Sequence, residues 1–442
     1  MTYALNVYCG ERQMATVTYD PVDDRFGLDY HPTWLSDSKS FPMSPALALA
    51  KPGGAYPPGA VRRFVENLLP EGRALDIASS MYQISKNNVF ALIRALGRET
   101  AGALFFRPAD GERDSTRDGP PPREVTREEL RERIAERRRV PFQVWDNKVR
   151  LSIPGFQDKL PLYLDAQGKM FLVEPPLAST HIVKPEPLDE RLQHLVVNEH
   201  YCMALAARMS LPVAPVQIFR LPEPLLVITR FDRSIQGDFV QRRHIVDACQ
   251  ALDLSVSAKY ERNFGTGEDV RHIRDGVSFE RLFAACDSAA NKAIARQSLL
   301  RWALYQFVIG NSDAHGKNAS FFMRPEGLGA APWYDLVSVV QYDHLVHDLA
   351  MAFGDEFSLR EVSAFALADF AKRCNISRHL LAREMRRMAK SVITLAELQA
   401  ADPAYEESER PDVQRIAAFC MEQARNLERL VSLVLDVNEE LM

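Results

Sequence analysis

The segment Asn311-Ser312-Asp313-Ala314-His315-Gly316-Lys317-Asn318 sets an aspartate and an asparagine five positions apart, directly after the apolar run Leu299 to Ile309. An aspartate can accept the proton of an attacking hydroxyl, and an asparagine oxygen can hold a hard divalent cation. Protein kinases place these two groups at this interval for phosphoryl transfer. An apolar run from Ala319 to Met323, a turn rich in Gly and Pro from Arg324 to Pro332 and a second run then lead to Tyr334-Asp335-Leu336. A hairpin of this kind brings one further carboxylate, Asp335, to the place of a second metal ligand. Taken alone, the octapeptide also reads as a capped turn.

Glu199 is a second carboxylate that calls for a partner. The pattern Leu192, Leu195, Val196, Met203, Ala206 predicts a helix from about Asp189 to Met209, and Glu199 falls on its apolar face. A buried carboxylate needs a cation, because an unpaired buried charge is costly. Lys184 ends the strand-like run His181 to Lys184 just upstream. Such a pair would aim a lysine at nucleotide phosphates. A purely structural ion pair, or a helix rotated so that Glu199 meets solvent, is the competing reading.

The elements that must position these groups follow in a definite order. Leu160 to Leu164, Met170 to Val173 and His181 to Lys184 read as three short strands, followed by the helix and by two more strands, Val216 to Arg220 and Leu225 to Thr229. About 200 mostly helical residues come after them. Upstream, Tyr3 to Tyr8 and Ala15 to Tyr19 read as strands, and Val61 to Leu69 and Asn88 to Leu96 as helices. Residues 108 to 124 hold no large apolar side chain and mark a boundary. Thr126 with Glu129 predicts a capping box and a charged helix to about Arg139, whose alternating arginines and glutamates suit a solvated face. The fold class expected is α+β: a bilobal protein-kinase-like fold, with a small β-rich N-lobe and a larger helical C-lobe, preceded by a small α+β N-terminal subdomain. The divisions are 1–107 for the subdomain, 108–140 for linker and charged helix, 141–233 for the N-lobe and 234–442 for the C-lobe.

Several function classes are excluded. Lys and Arg total 54 against 59 Asp and Glu, a net charge of −5, so no global field draws the chain onto nucleic acid or an anionic membrane. Six scattered cysteines with no CxxC pair read as thiols of a reducing cytosol, and no stretch reaches the 18 or so apolar residues of a membrane helix, so a cytoplasmic protein is expected. Neither GxxxxGK[ST] nor GxGxxG after a strand is present, and no G-x-S-x-G elbow favours hydrolase chemistry. His344 and His347 with flanking aspartates read as a polar helix rather than a metal site.

With these residues the sequence resembles the HipA family of bacterial serine/threonine kinase toxins, partners of small helix-turn-helix antitoxins. The resemblance covers nearly the whole chain. It is carried by Asn67-Leu68-Leu69-Pro70-Glu71-Gly72, Asn87-Asn88-Val89-Phe90-Ala91-Leu92, Ala101-Gly102-Ala103-Leu104, Ser152 to Lys159, Ile182-Val183-Lys184-Pro185, Asn198-Glu199, Arg230-Phe231-Asp232-Arg233 and Asp313 to Asn318. It implies ATP and Mg²⁺ as cofactors, with Asp313 as catalytic base, Asn318 and Asp335 as Mg²⁺ ligands and Lys184 on the ATP phosphates. It further implies a phosphate-covering loop made of Pro154, Gly155, Phe156, Gln157, Asp158 and Lys159, a hinge beside adenine at Thr229, Arg230 and Phe231, and further ATP contacts from Asp232, His315 and Lys317. Ser152 resembles the family's autophosphorylated serine, whose modification expels the loop and switches the kinase off. A phosphate there would add about −1.5 to −2 charge and repel those of ATP. Two positions depart from the family pattern: Thr229 stands where members often carry Glu, and Phe156 is bulkier than the usual small residue.

The resemblance therefore implies a protein serine/threonine kinase that arrests growth by phosphorylating a bacterial protein, such as an aminoacyl-tRNA synthetase. It also implies a HipB-like antitoxin that neutralises it and joins it in repressing their operon, with DNA held mainly through the antitoxin and no membrane partner. Two other readings are carried alongside: a small-molecule phosphotransferase, and a non-catalytic pseudokinase that only binds antitoxin. The four residues Lys184, Asp313, Asn318 and Asp335 argue against the second, since a scaffold needs none of them for chemistry.

Overall fold

The computed structural model describes residues 2–109, 120–150, 157–237, 239–438 and 440. The chain divides into two compact units, one of Met1–Pro185, Phe219–Val256 and Phe321–Gly327, the other of Glu186–Ile218, Ser257–Ser320 and Leu328–Met442.

The first unit is rich in strands. Its amino-terminal part is a four-stranded antiparallel sheet in the order Arg25–Tyr30, Arg12–Asp20, Tyr3–Cys9, Leu104–Pro108. Leu5 pairs with Val17 and Val7 with Ala15, and all four are fully buried, as the two-residue period of a half-buried strand requires. The helices Ala60–Glu66 and Val89–Leu96 pack on this sheet, the latter capped by Asn88, whose side chain accepts from the Ala91 N–H at 3.0 Å. A second sheet runs in the order Val216–Leu221, Glu223–Thr229, His181–Pro185, Leu160–Leu164, Met170–Leu172, Arg123–Val125. Leu160, Leu162, Val183, Leu225 and Val227 bury one face of it together with Leu130 and Ile134 of the helix Arg127–Glu136. Each such side chain contributes roughly 1.5–3 kcal/mol. That helix buries Leu130 and Ile134, one turn apart, and leaves Arg127, Glu128, Arg131, Glu132 and Glu136 exposed, while Arg133 turns in to donate to the Pro141 and Val144 carbonyls at 3.0 and 2.7 Å. It stops at Glu136, short of Arg139. Thr126 accepts from the Glu129 N–H at 3.1 Å, but the Glu129 carboxylate pairs with Arg123 at 2.5 Å and does not close a capping box.

The second unit is mostly helical. The helix expected from Asp189 begins later, at Leu195, and runs to Arg208. Glu190–Leu192 is a separate 3₁₀ turn, and His194 at φ 59° breaks the two apart. The Glu186 carboxylate accepts from the Leu195 and Val196 N–H groups, both at 3.2 Å, satisfying donors that a helix start leaves open. The longest pair of helices, Arg378–Ala400 and Arg410–Asp436, pack along each other. The second buries Val413, Ala417, Cys420, Ala424, Leu427, Val431 and Val434, a strict alternation of four- and three-residue steps. The buried helix Lys292–Ile309 ends at Gly310, whose φ of 67° is the left-handed turn that launches the 311–318 segment.

Two further expectations are corrected. The turn between Arg324 and Pro332 is shorter than its Gly and Pro content suggests, because Gly327–Ala330 is itself a strand. Residues 343–347 form a turn, not a polar helix, between the 3₁₀ turn Val339–Gln341 and the strand Asp348–Phe353. Among the described residues no helix is long and apolar enough to cross a membrane.

Candidate functional site

Lys184 lies on the strand His181–Pro185, opposite Leu226, with only 6% of its surface exposed. Lys159, equally buried, opens the neighbouring strand segment. Gln157 donates through Nε2 to the Pro185 carbonyl at 3.5 Å, and Asp158 accepts from Gln143 Nε2 at 2.6 Å. The first unit thus gathers Gln157, Asp158, Lys159 and Lys184 at one end of its sheet. Ser152, Pro154, Gly155 and Phe156 lie outside the described residues. Thr229, half-buried, faces His181 across the ladder at the end of the strand Glu223–Thr229, and the half-buried Phe231 ring stands edge-on to Phe322.

Arg230 and Asp232 follow, and their side chains are occupied elsewhere. Arg230 forks onto Asp232 through Nε at 3.0 Å and Nη2 at 2.8 Å and donates to Ser179 Oγ at 2.9 Å. Asp232 also accepts from the Gly102 N–H at 2.8 Å and from Arg233, which donates to the Gly102 and Thr100 carbonyls at 2.8 and 3.1 Å. Burial alone would raise the Asp232 carboxyl, but Arg230 and Arg233 outweigh it and hold it well below the carboxylate range. Burial, with Arg230 beside it, lowers Arg233 to about 9. These side chains stitch residues 99–102 to the β-rich part of the unit.

The second unit holds the other candidates. Asp313 is exposed, whereas His315, Lys317 and Asn318 are buried. Asn311 is the hub of the loop. Its Oδ1 accepts from the Asp313 N–H at 3.1 Å and its Nδ2 donates to the Asp335 carbonyl at 3.4 Å. Asn318 Nδ2 donates to the Asp313 carbonyl at 3.0 Å, and Tyr334 donates its hydroxyl to the Lys317 carbonyl at 2.7 Å. The segments carrying Asp313, Asn318 and Asp335 are thereby tied together. Asp335 sits at φ 57°, a left-handed conformation that aspartate tolerates better than most residues. Three residues on, Ser338 is gripped by Asn198, which accepts from its N–H at 2.8 Å and donates to its carbonyl at 3.0 Å. Glu199, fully buried, is the next residue on that helix.

Comparison with known proteins decides what kind of chain carries this loop. Residues 5–107 match the model of the HipA N-terminal domain and residues 151–399 that of the HipA-like C-terminal domain. The chain is 42% identical over 413 residues to a Shewanella oneidensis protein named serine/threonine-protein kinase toxin HipA, covering 92% of each. The chain belongs to the HipA family. A Sinorhizobium fredii relative, named putative kinase Y4mE, is 33% identical, with 88% of this chain and 89% of the relative covered. The solved structure of Shewanella oneidensis MR-1 HipA with HipB and operator DNA superposes with a TM-score of 0.87 at 39% identity, over 98% of this chain and all of that one.

Every candidate site residue falls within the stretch matching the HipA-like C-terminal domain. Sequence reasoning did not assign roles to Asn311, Tyr334 or Asn198, although each lies in or beside a quoted motif. The contacts by which they hold the loop and the Asp335 segment run to backbone groups, which leave no trace in residue type. Tyr260 was missed outright, and it donates its hydroxyl to Asp313 Oδ1 at 2.5 Å.

Proposed function

We propose that this chain is an ATP-dependent kinase that transfers the γ-phosphate to a serine or threonine of a bacterial protein, and that it is the toxin of a pair with a HipB-like helix-turn-helix antitoxin. The observation that carries the reading is the Asn311 hub, which ties Asp313 to the segment of Asp335 while Asn318 bonds back to Asp313. A base and two oxygen ligands held on one framework suit phosphoryl transfer, whose catalysis is mostly positioning and charge stabilisation. The match to HipA-like proteins over both family domains supports a bilobal kinase-like fold preceded by an N-terminal subdomain that ends near residue 107.

In this mechanism Asp313 takes the proton of the acceptor hydroxyl as its oxygen attacks the γ-phosphorus and ADP departs. Asn318 and Asp335 offer hard oxygens, the donor type that Mg²⁺ prefers. Since Asn318 Nδ2 is spent on the Asp313 carbonyl, Oδ1 is the atom it presents. Mg²⁺, when bound, neutralises charge developing on the transferred group. Lys184 serves the ATP phosphates with Glu199 as its counter-charge, residues 154 to 159 cover those phosphates, and the backbone of 229–231 serves adenine. Autophosphorylation of Ser152 limits the activity.

The chain and its antitoxin together repress their operon. With a net charge of −5, DNA contact has to be local. The exposed face of the helix Arg378–Ala400 carries Arg383, Arg386, Arg387 and Lys390, spaced to point one way, and supports a phosphate-backbone contact beside the antitoxin. Mapping phosphate by mass spectrometry after incubation with ATP, Mg²⁺ and a bacterial lysate tests the reading. Phosphoserine or phosphothreonine on protein is expected; phosphate appearing on a metabolite alone would replace it with a small-molecule phosphotransferase.

A further inference from the structure

Asp313 is exposed, and an exposed carboxylate ordinarily rotates freely. A base that must meet an acceptor hydroxyl in one geometry cannot be left to do so. Asn311 and Asn318 hold its backbone N–H and carbonyl, but neither touches its carboxylate oxygens through a bond that fixes χ1 and χ2. Tyr260 does, through the 2.5 Å bond from its hydroxyl to Oδ1.

The tyrosine is in turn held hard. The Glu261 N–H donates to the Ala350 carbonyl at 2.9 Å, the Gly316 N–H to the Lys259 carbonyl at 2.9 Å, and the Val277 N–H to the Ala258 carbonyl at 2.9 Å. Gly276 passes so close that a Cβ there would lie 1.7 Å from the Tyr260 carbonyl oxygen. Glu261, buried beside it, accepts from the Ala352 N–H at 2.8 Å and from Arg274 Nε at 2.6 Å. The Tyr260 ring meets His315 edge-on at 5.1 Å, and His315 belongs to the same loop as Asp313. Ala350, which anchors this segment, also donates its N–H to the Ser312 carbonyl at 2.9 Å. Tyrosine and aspartate are therefore hung from one strand, Asp348–Phe353. A movable gate would need a backbone free to swing, and this one is pinned on both sides.

We infer that Tyr260 is a positioning residue for the base: its phenol fixes the Asp313 carboxylate by Oδ1 and aims Oδ2 at the acceptor hydroxyl. The inference rests on the reading of Asp313 as base. In the step it serves, the acceptor O–H proton passes to Oδ2, the acceptor oxygen bonds to the γ-phosphorus, and the bond from that phosphorus to the bridging oxygen of ADP breaks. The phenol proton stays on Tyr260. With 37% of its surface exposed, Tyr260 also borders the approach to Asp313, so an acceptor side chain reaches the base alongside its ring.

The test uses the full chain with ATP and Mg²⁺ as the probe, and reads total ATP turnover, whether phosphate goes to the chain or to water. Tyr260→Phe keeps the ring against His315 and removes only the donor. A fall in kcat on the order of tenfold is expected, with KM for ATP, ATP affinity and melting temperature unchanged, and with no further loss when Tyr260→Phe is added to Asp313→Asn. Wild-type turnover in Tyr260→Phe beside an Asp313→Asn slowed by about 10²-fold overturns the inference and leaves the base standing. A loss that comes with weaker ATP binding or a lower melting temperature, or that adds to that of Asp313→Asn, assigns the tyrosine to structure and overturns it too. Full turnover in Asp313→Asn removes the base and the inference together.

Discussion

At the scale of single residues, Asn198 shows how the site is held from behind. It spends both halves of its amide on the backbone of Ser338, and so fixes the chain three residues beyond Asp335. Asn198→Asp keeps the acceptor but turns an oxygen toward the Ser338 carbonyl. The expected cost is roughly 2–3 kcal/mol in denaturant unfolding, with slower ATP turnover because the Asp335 segment loses its clamp. Unchanged stability would show that Ser338 needs no such grip. Of the residues proposed for the site, type and order singled out Asp313, Asn318, Asp335, Lys184 and Glu199, and the loop's own bonds bring together the segments of Asp313, Asn318 and Asp335. Glu199 is buried, although the argument from its spacing to Leu192 does not hold, since Leu192 lies outside the helix and Val196 through Met203 are buried all round. Supporting residues were not legible. Tyr260 reaches Asp313 across 53 positions, and no local pattern announces such a contact.

Among elements, the junction built by Arg230, Asp232 and Arg233 is the most consequential. Removing Asp232 takes away the carboxylate on which Arg230 and Arg233 converge and leaves Glu99, 3.6 Å from Arg230, as their remaining counter-charge, so Asp232→Ala should destabilise the strand-rich unit by about 3–5 kcal/mol in denaturant titration; a loss under about 1 kcal/mol would contradict the network. His244 adds a pH dependence to the same unit. Its Nε2 lies 2.8 Å from the Met43 carbonyl, its ring stacks on Phe41, and burial lowers its pKa from 6.5 to about 4. The folded state therefore refuses a proton that the unfolded chain takes up. This contribution is complete above pH 6.5 and fades as pH falls toward 4, by about 3 kcal/mol in all. His244→Gln should flatten that part of the stability profile; an unchanged slope would place the titration elsewhere. The strands Leu160–Leu164 and His181–Pro185 were predictable because each is a short apolar run. Arg123–Val125 was not, because three residues, two of them charged, show no alternation, yet it completes the sheet edge.

For the whole molecule, the negative net charge sets the terms of any encounter with DNA. Arg383→Ala with Arg387→Ala should weaken operator binding by the complex with antitoxin. The slope of log K against log salt should fall by about 0.9 for each phosphate that these arginines no longer neutralise, with ATP turnover untouched. An unchanged slope would leave DNA binding wholly to the antitoxin. Phosphoryl transfer is the activity on which every one of these roles depends. The most direct measurement incubates the full chain with γ-labelled ATP and Mg²⁺ and follows label into protein, wild type against Asp313→Asn. Label on serine or threonine, reduced by at least about 10²-fold in the variant as loss of a general base requires, is the predicted result. Asp313→Asn labelling protein at the wild-type rate would contradict it.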